Sequence, residues 1–347
     1  LSHMMNKRAI YFFSFLVVLL ILTGLYFRNL VFGITVRPLD DGKQIIYLPT
    51  GSSFEQVMDS LELNLKIDNI KVLRWVAEKK NYPALVKPGR YVIEKGTSCN
   101  ELINMLRSGK QSPVMVTFSN VRTIYELAGR VGGRIEADSA QIAAFLSDQE
   151  NYRSDGFARN NIISVFIPDT YEFLWNTGAG GFYIRMLNEY KRFWNPERIR
   201  KAREKNLTPI EVSALASIVD QEAAKTDEKP LIAGVYLNRL RRGIPLQADP
   251  TIKFALNDSG ISRILYTHLQ IDSPYNTYKY PGLPPGPIGC PEIDGIDAVL
   301  NAESHDYLYF VAKPDFSGYH NFSRTLSEHN RYAALYQREL NRRRIFR

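Results

Sequence analysis

From Ala9 to Phe27 the chain reads AIYFFSFLVVLLILTGLYF, without one charge and without a polar face. At a helical rise of about 1.5 Å per residue, such a stretch nearly matches a hydrocarbon core of about 30 Å. A signal-peptide core is usually about 7–15 residues long and ends at a small-residue cleavage site, which this stretch lacks. Leu22-Thr23-Gly24 is followed by Leu25 and not by cysteine, which argues against a lipidated anchor. Tyr11 and Tyr26 lie near the two ends, where interfacial aromatics belong. The pattern predicts a single transmembrane helix over 9–27. Residues 1–3 look like an expression-vector scar and, with the short tail to residue 8, are set apart from the fold. Lys7 and Arg8 precede the span, which places the N-terminus in the cytoplasm, although Arg28 and Arg37 follow it.

Residues 28–44 show no strong periodicity and read as a linker. A pattern then occurs twice. Ile46-Tyr47-Leu48 leads through Gly51 into Phe54–Leu61, and Tyr91-Val92-Ile93 leads through Gly96 into Cys99–Leu106. Each copy is a β-rich run, a glycine turn and a helix start. Ser53-x-x-Gln56 and Ser98-x-x-Glu101 are capping boxes, and Gly109 stands where a C-cap glycine would end the second helix. The two units predict a small α+β module over 45–112. It resembles a LysM-like module, a type that binds amino-sugar chains, and a spacer that binds nothing fits the same pattern.

From 113 to 347 the pattern is mainly helical with a few short strands. Thr123-x-x-Glu126 opens a helix over Ile124–Val131, and Gly178–Gly181 reads as a loop before a helix over Phe182–Phe193. Thr208-Pro209-Ile210-Glu211 combines a capping box with proline at the first helical position. Residues 272–293, rich in Pro and Gly, predict a long structured loop. Tyr307–Ala312 reads as a strand and Ser327–Arg344 as a basic C-terminal helix. The fold class is therefore α+β: one transmembrane helix, a small module, then a mainly helical domain.

Composition alters this picture little. Hydrophobic residues make up 45% and charged residues 23%, which excludes a disordered chain. A formal charge of +8 suits an anionic partner such as a membrane surface, a wall polymer or nucleic acid. Cys99 and Cys290 are too few for a disulfide scaffold or an all-cysteine zinc site, and read as buried thiols.

The helix opened by Thr208 carries the candidate chemistry. Val212, Leu215, Ala216, Val219 and Ala223 recur at helical spacing, and Glu222 falls on the same stripe. Asp220, about 200° around the helix at about 100° per residue, is expected to face solvent. A carboxyl on an apolar face is poorly solvated in its charged form, so its pKa rises, as a general acid near neutral pH requires. From the helix alone a structural Glu222, bonded to an arginine such as Arg239 or to a backbone amide, is the commoner outcome, because structural ion pairs also perturb buried carboxyls.

Further motifs bear on that choice. They are Pro168-Asp169-Thr170-Tyr171, Ala216–Glu222, Leu246-Gln247-Ala248-Asp249-Pro250-Thr251, Ser273-Pro274-Tyr275-Asn276-Thr277-Tyr278, Gly282–Ile288, Tyr307–Val311, His320-Asn321-Phe322 and Glu328-His329-Asn330. In order and spacing they resemble the YceG-like (MltG) family of endolytic murein transglycosylases, over nearly the whole chain. Members usually carry Glu-x-Glu on this helix with the second glutamate catalytic; here the first position is Asp220 and the second Glu222. Members also tend to have Glu-Gly before Pro-Asp-Thr-Tyr, where this chain has Ile163-Ser164-Val165-Phe166-Ile167.

The resemblance implies a lyase of cell-wall biogenesis and degradation that cleaves the MurNAc–GlcNAc bond inside nascent peptidoglycan strands and leaves 1,6-anhydro-MurNAc ends. Glu222 would be the single acid/base. Gln247, Asn276 and Thr277 would hydrogen-bond the sugar, Tyr275 and Tyr278 would stack on it, and His320 would complete the binding set. Asp249 would be either a second acidic contact or a loop-fixing residue, and the 281–289 loop a wall of the cleft. No metal is expected at His320 or His329, and no cofactor. The implied setting is the bacterial inner membrane, single-pass, with the catalytic region periplasmic or extracytoplasmic and wall synthases as possible partners. A lysozyme-type hydrolase using Asp249 and a non-catalytic wall-binding scaffold are the rivals. Nucleic-acid binding lacks a clustered basic motif, and a serine hydrolase lacks its Gly-x-Ser-x-Gly elbow.

Overall fold

The computed structural model describes residues 2–40, 42–258, 260–261 and 264–343. It is a mixed α+β, mostly helical chain that divides into two compact units. The first holds the residues up to Met115 with 134–136 and 172–177; the second holds 116–133, 137–171 and 178 onward.

Unit 1 begins with α1 (Ser2–Phe32), whose apolar residues from Ile10 to Phe27 are exposed along its length. The helix overruns the expected end at Phe27 because its last turn joins a protein core, in which Val31 is buried and Leu30 packs alongside. The residues expected to form an aperiodic linker therefore supply the end of α1 and the strand β1 (Val36–Pro38). Next come β2 (Gln44–Leu48), α2 (Phe54–Asn64), β3 (Leu65–Ile67), α3 (Ile70–Lys79), β4 (Gly89–Ile93) and α4 (Cys99–Ser108). β1 pairs with β3, and β2 pairs antiparallel with β4 in the register Gln44↔Ile93 to Leu48↔Gly89. Both capping boxes form: Ser53 Oγ accepts from Gln56 N, and Ser98 Oγ from Glu101 N. Gly109 ends α4 at φ 74°, a conformation that costs an L side chain and not glycine. Thr35 Oγ1 meets the buried Cys99 Sγ at 3.4 Å, which ties the segment after α1 to α4.

The strands β5 (Val114–Phe118) and β6 (Asp169–Phe173) pair with each other. Unit 2 adds α5 (Ile124–Val131), α6 (Ser139–Ser147), α7 (Ala179–Phe193), α8 (Pro196–Glu204), α9 (Pro209–Glu222), α10 (Lys229–Arg241), α11 (Asp249–Ala255), α12 (Ile293–Leu300), β7 (Tyr309–Ala312), β8 (His320–Ser323) and α13 (Leu326–Arg342). The expected loop at Gly178–Gly181 is instead the start of α7, with Gly178 as its N-cap. The C-terminal helix follows the expected span, though Arg344 lies outside the described residues, as does Leu1.

α9 is the axis of unit 2. From Val212 to Val219 every residue is buried, so the helix is enclosed on all sides and the expected single apolar stripe does not describe it. α8, α10, α11 and α12 pack around it. α12 reaches it through Gly295, where a Cβ would collide with the Asp220 carboxylate. The expected long loop spans 272–292, held to α9 where Ile288 N donates to Ser217 Oγ at 3.0 Å.

Candidate functional site

α9 starts cleanly because Thr208 and Glu211 form a reciprocal cap and Pro209 needs no donor at the first position. It ends on Glu222, with Ala223 as C-cap. The carboxyl therefore sits at the negative end of an aligned set of peptide dipoles, which disfavours its charge. Burial is the largest influence, and the negative charge of Asp249 adds to it. Together they push the Glu222 carboxyl up to about 7, against the Tyr236 hydrogen bond and the charge of Lys253.

Tyr236, from α10, donates its phenol to Glu222 Oε1 at 3.3 Å. It is 1% exposed, and its ring meets Phe310 edge-on at 5.8 Å. Burial and the neighbouring Glu222 charge hold the phenol well above its ordinary pKa, so the hydroxyl keeps its proton and can donate it. Sequence reasoning missed Tyr236. It lies in a run of α10 that is buried on all sides, and no local pattern marks its hydroxyl as aimed at a carboxyl.

The two acids near the end of α9 have different surroundings. Asp220 was expected to face solvent, and the structure corrects this. Lys229 Nζ donates to Asp220 Oδ1 at 2.7 Å and to Asp294 Oδ1 at 2.8 Å, and the Glu292 amide donates to Asp220 Oδ2 at 2.8 Å. The side chains of Asp220 and Lys229 are only 11% and 9% exposed. Asp220 is thus a bolt between α9, α10 and α12. Arg239, the alternative partner for Glu222, goes elsewhere: it donates to the carbonyls of Leu308, Pro245 and Leu246 and to Gln247 Oε1.

Asp249 opens α11 and is exposed. Tyr278 donates its hydroxyl to Asp249 Oδ1 at 2.5 Å, and burial, then this bond, push the phenol's pKa upward. Glu222, Tyr236, Asp249 and Tyr278 thus form one electrostatic group. Gln247 borders it with an exposed side chain, held by Arg239 and by a left-handed backbone at φ 53°.

Asn276 and Thr277 have other work than the sugar contacts expected of them. Asn276 is fully buried; its Nδ2 donates to Leu269 O and Ile271 O, and its Oδ1 accepts from the amides of Tyr278 and Lys279. Thr277 is 2% exposed and accepts from Ala248 N while bonding Thr251 Oγ1. Both brace the loop that carries Tyr278. Tyr275 packs against Phe254 at 4.7 Å and donates to Asn160 O at 3.1 Å. His320, another expected sugar contact, gives Nδ1 and its amide to the buried Glu228, at 2.8 and 2.9 Å, and its ring stands edge-on to Phe310. Glu228 was not anticipated from the sequence.

A cleft of about 760 Å³ lies on a different face of α10, lined by Gly234, Leu237, Arg241 and the loop residues Leu283, Pro284 and Pro285. Glu222 does not line it. The proline-rich loop expected to wall the Glu222 cleft borders this one.

The sequence model described as the YceG-like family matches residues 46–334. A protein of Streptococcus pneumoniae named endolytic murein transglycosylase is 31% identical over 334 residues, covering 86% of this chain and 60% of that protein. One of Bacillus subtilis with the same name is 29% identical over 308 residues, covering 84% of each. The chain thus spans about 60% of the length of the pneumococcal relative. A crystal structure of a yceG-like protein from Listeria monocytogenes superposes with a TM-score of 0.55 at 27% identity, covering 83% of this chain and 98% of that one.

Proposed function

The chain belongs to the YceG-like family, and from that premise we propose that it is a membrane-anchored endolytic transglycosylase of peptidoglycan with Glu222 as its single acid/base. The observation that carries this reading is the state of Glu222. It ends a buried helix, has a raised pKa of about 7 and bonds a neutral phenol. Asp220, two residues earlier, is consumed by a structural ion pair. A carboxyl kept protonated near neutrality is placed to give up that proton.

Glu222 protonates the oxygen leaving C1 of an N-acetylmuramic acid unit, and the C1–O bond breaks as positive charge builds on the ring. The C6 hydroxyl of the same sugar then bonds C1, and its proton passes to the Glu222 carboxylate. A 1,6-anhydro ring forms, no water is consumed, and the acid is restored. The attacking hydroxyl belongs to the same sugar, so its effective concentration is high and no second carboxylate is needed to activate it. Asp249, fixed by Tyr278, supplies negative charge that favours both the protonated form of Glu222 and the cationic ring. Gln247 and the ring of Tyr278 are the side chains best placed to meet sugar.

α1 is the anchor, with the N-terminus cytoplasmic and both units outside, beside the wall and its synthases. Residues 45–112 form a LysM-like module and 113–347 the catalytic domain. The second reading is hydrolysis through Asp249, which the proximity of its charge to Glu222 favours.

Mass spectrometry of glycan strands digested by wild type and by Glu222→Gln separates the two. We expect internal fragments with anhydro ends, reduced about 10²–10⁴-fold in the variant, the usual contribution of a general acid/base. Reducing ends would assign hydrolysis, and equal cleavage by both proteins would remove Glu222 from the chemistry.

A further inference from the structure

Unit 1 carries a surface feature that the proposed chemistry does not use. On α3 the residues Lys71, Trp75 and Lys79 are exposed and follow one another at four-residue spacing, so they form one stripe along the helix. Trp75 is 41% exposed, and its ring meets Phe27 of α1 edge-on at 5.0 Å. Lys79 Nζ lies 5.9 Å from the centre of the Trp75 ring.

The position of Phe27 sets the level of this stripe. Arg28 follows it directly and is exposed, and Val31 is already buried in the core of unit 1. A side chain packed in that core is not in lipid, so an apolar helix lying in a bilayer leaves the hydrocarbon between Phe27 and Leu30. Trp75, touching Phe27, then stands at the boundary between acyl chains and headgroups, the depth that tryptophan favours. Each lysine lies about 6 Å along the α3 axis from Trp75, and its long stem lets the ammonium reach the phosphate layer. Phe32 and Ile34, where the chain leaves α1, are each 63% exposed and extend the same boundary. Glu78, three residues after Trp75, is the exposed acid on this face, and Arg74 is engaged with Glu55, so around the aromatic ring the face presents two lysines and one acid, a net positive charge.

We propose that the Lys71–Trp75–Lys79 stripe is a membrane-docking face that seats unit 1 on the headgroups of an anionic bilayer. This rests on reading α1 as a bilayer-spanning helix. Because the end of α1 is built into the core of unit 1, the helix and the stripe engage the same membrane together. The unit is thereby fixed in height and orientation instead of swinging on a tether.

The test uses the full chain in vesicles of phosphatidylcholine with phosphatidylglycerol, brominated either near the headgroup end or near the terminal methyl of the acyl chains. The emission of Trp75 is taken as the difference between wild type and Trp75→Phe. The expected result is stronger loss of that emission with shallow bromines than with deep ones. The shallow loss should weaken in the Lys71→Glu/Lys79→Glu variant and in phosphatidylcholine alone. Equal emission with and without bromine, in chains that float with the vesicles after alkaline extraction, would overturn the docking face and leave the anchor standing. Chains that do not float would overturn both.

Discussion

Unit 1 closes its core with Val57, Met58, Leu61, Leu73, Val76, Leu102, Ile103 and Leu106 around the ring of Tyr82, and among its described residues Thr35, Thr97 and Ser98 are the buried polar ones. Unit 2 buries Glu228, Lys229, Asn238, Arg239, Asn276 and Thr277 among its apolar residues. Apolar burial stabilises without demanding partners, whereas each buried charge or amide must be matched or it costs several kcal/mol. The first core suits a rigid support. The second pairs its buried charges, Lys229 with Asp220 and Asp294, Glu228 with His320 and Arg239 with loop carbonyls, whereas among the described residues the Glu222 carboxyl has the weak Tyr236 bond as its hydrogen bond. That mismatch is where chemistry can be done, because a group held away from its preferred charge state is ready to exchange a proton.

The contrast can be broken by removing one partner from these buried pairs. Lys229→Met leaves Asp220 and Asp294 facing each other without their cation, and should lower unfolding stability by roughly 3–5 kcal/mol. Chemical denaturation followed by far-UV circular dichroism measures this. A loss under about 1 kcal/mol would mean that the triad is solvated and that Asp220 is not the bolt described.

A smaller effect of opposite sign is expected at Glu222. Its folded pKa of about 7 lies above the ordinary value of 4.5, so the folded state binds the proton more tightly than the unfolded state. Stability therefore falls as pH rises from 4.5 toward 7, and the deficit persists above that. Glu222→Gln, which cannot ionise, should be more stable than wild type by roughly 1–3 kcal/mol at alkaline pH and nearly equal to it below the unfolded pKa. Thermal melts at both pH values check the sign. Smallest of all is Arg74→Ala in unit 1. It breaks the exposed bidentate pair with Glu55 and should leave the denaturation midpoint close to that of wild type, since water screens both groups.

Local chemistry in the sequence carried over into structure wherever the determining residues are neighbours. Ser53, Ser98 and Thr208 cap their helices with partners three residues away, and Gly109 ends α4. Glu222 could be singled out because its apolar neighbours lie on the same helix. The misplaced features depend on distant chain. Asp220 looked solvent-facing because Lys229 and Asp294, which enclose it, belong to other helices. Phe27 looked like the end of α1 because the core that receives Val31 is made from α3 and α4. Asn276 and Thr277 looked like sugar ligands because residue type alone does not reveal that loop carbonyls and Ala248 use their hydrogen bonds.

The most direct test of the account is the pH dependence of kcat/KM for release of anhydro ends from glycan strands. If Glu222 must carry the proton in the free enzyme, the rate holds on the acid side and falls tenfold per pH unit above about 7. A profile that stays level well into the alkaline range would contradict it, because Glu222 would then be ionised while the reaction proceeded undiminished.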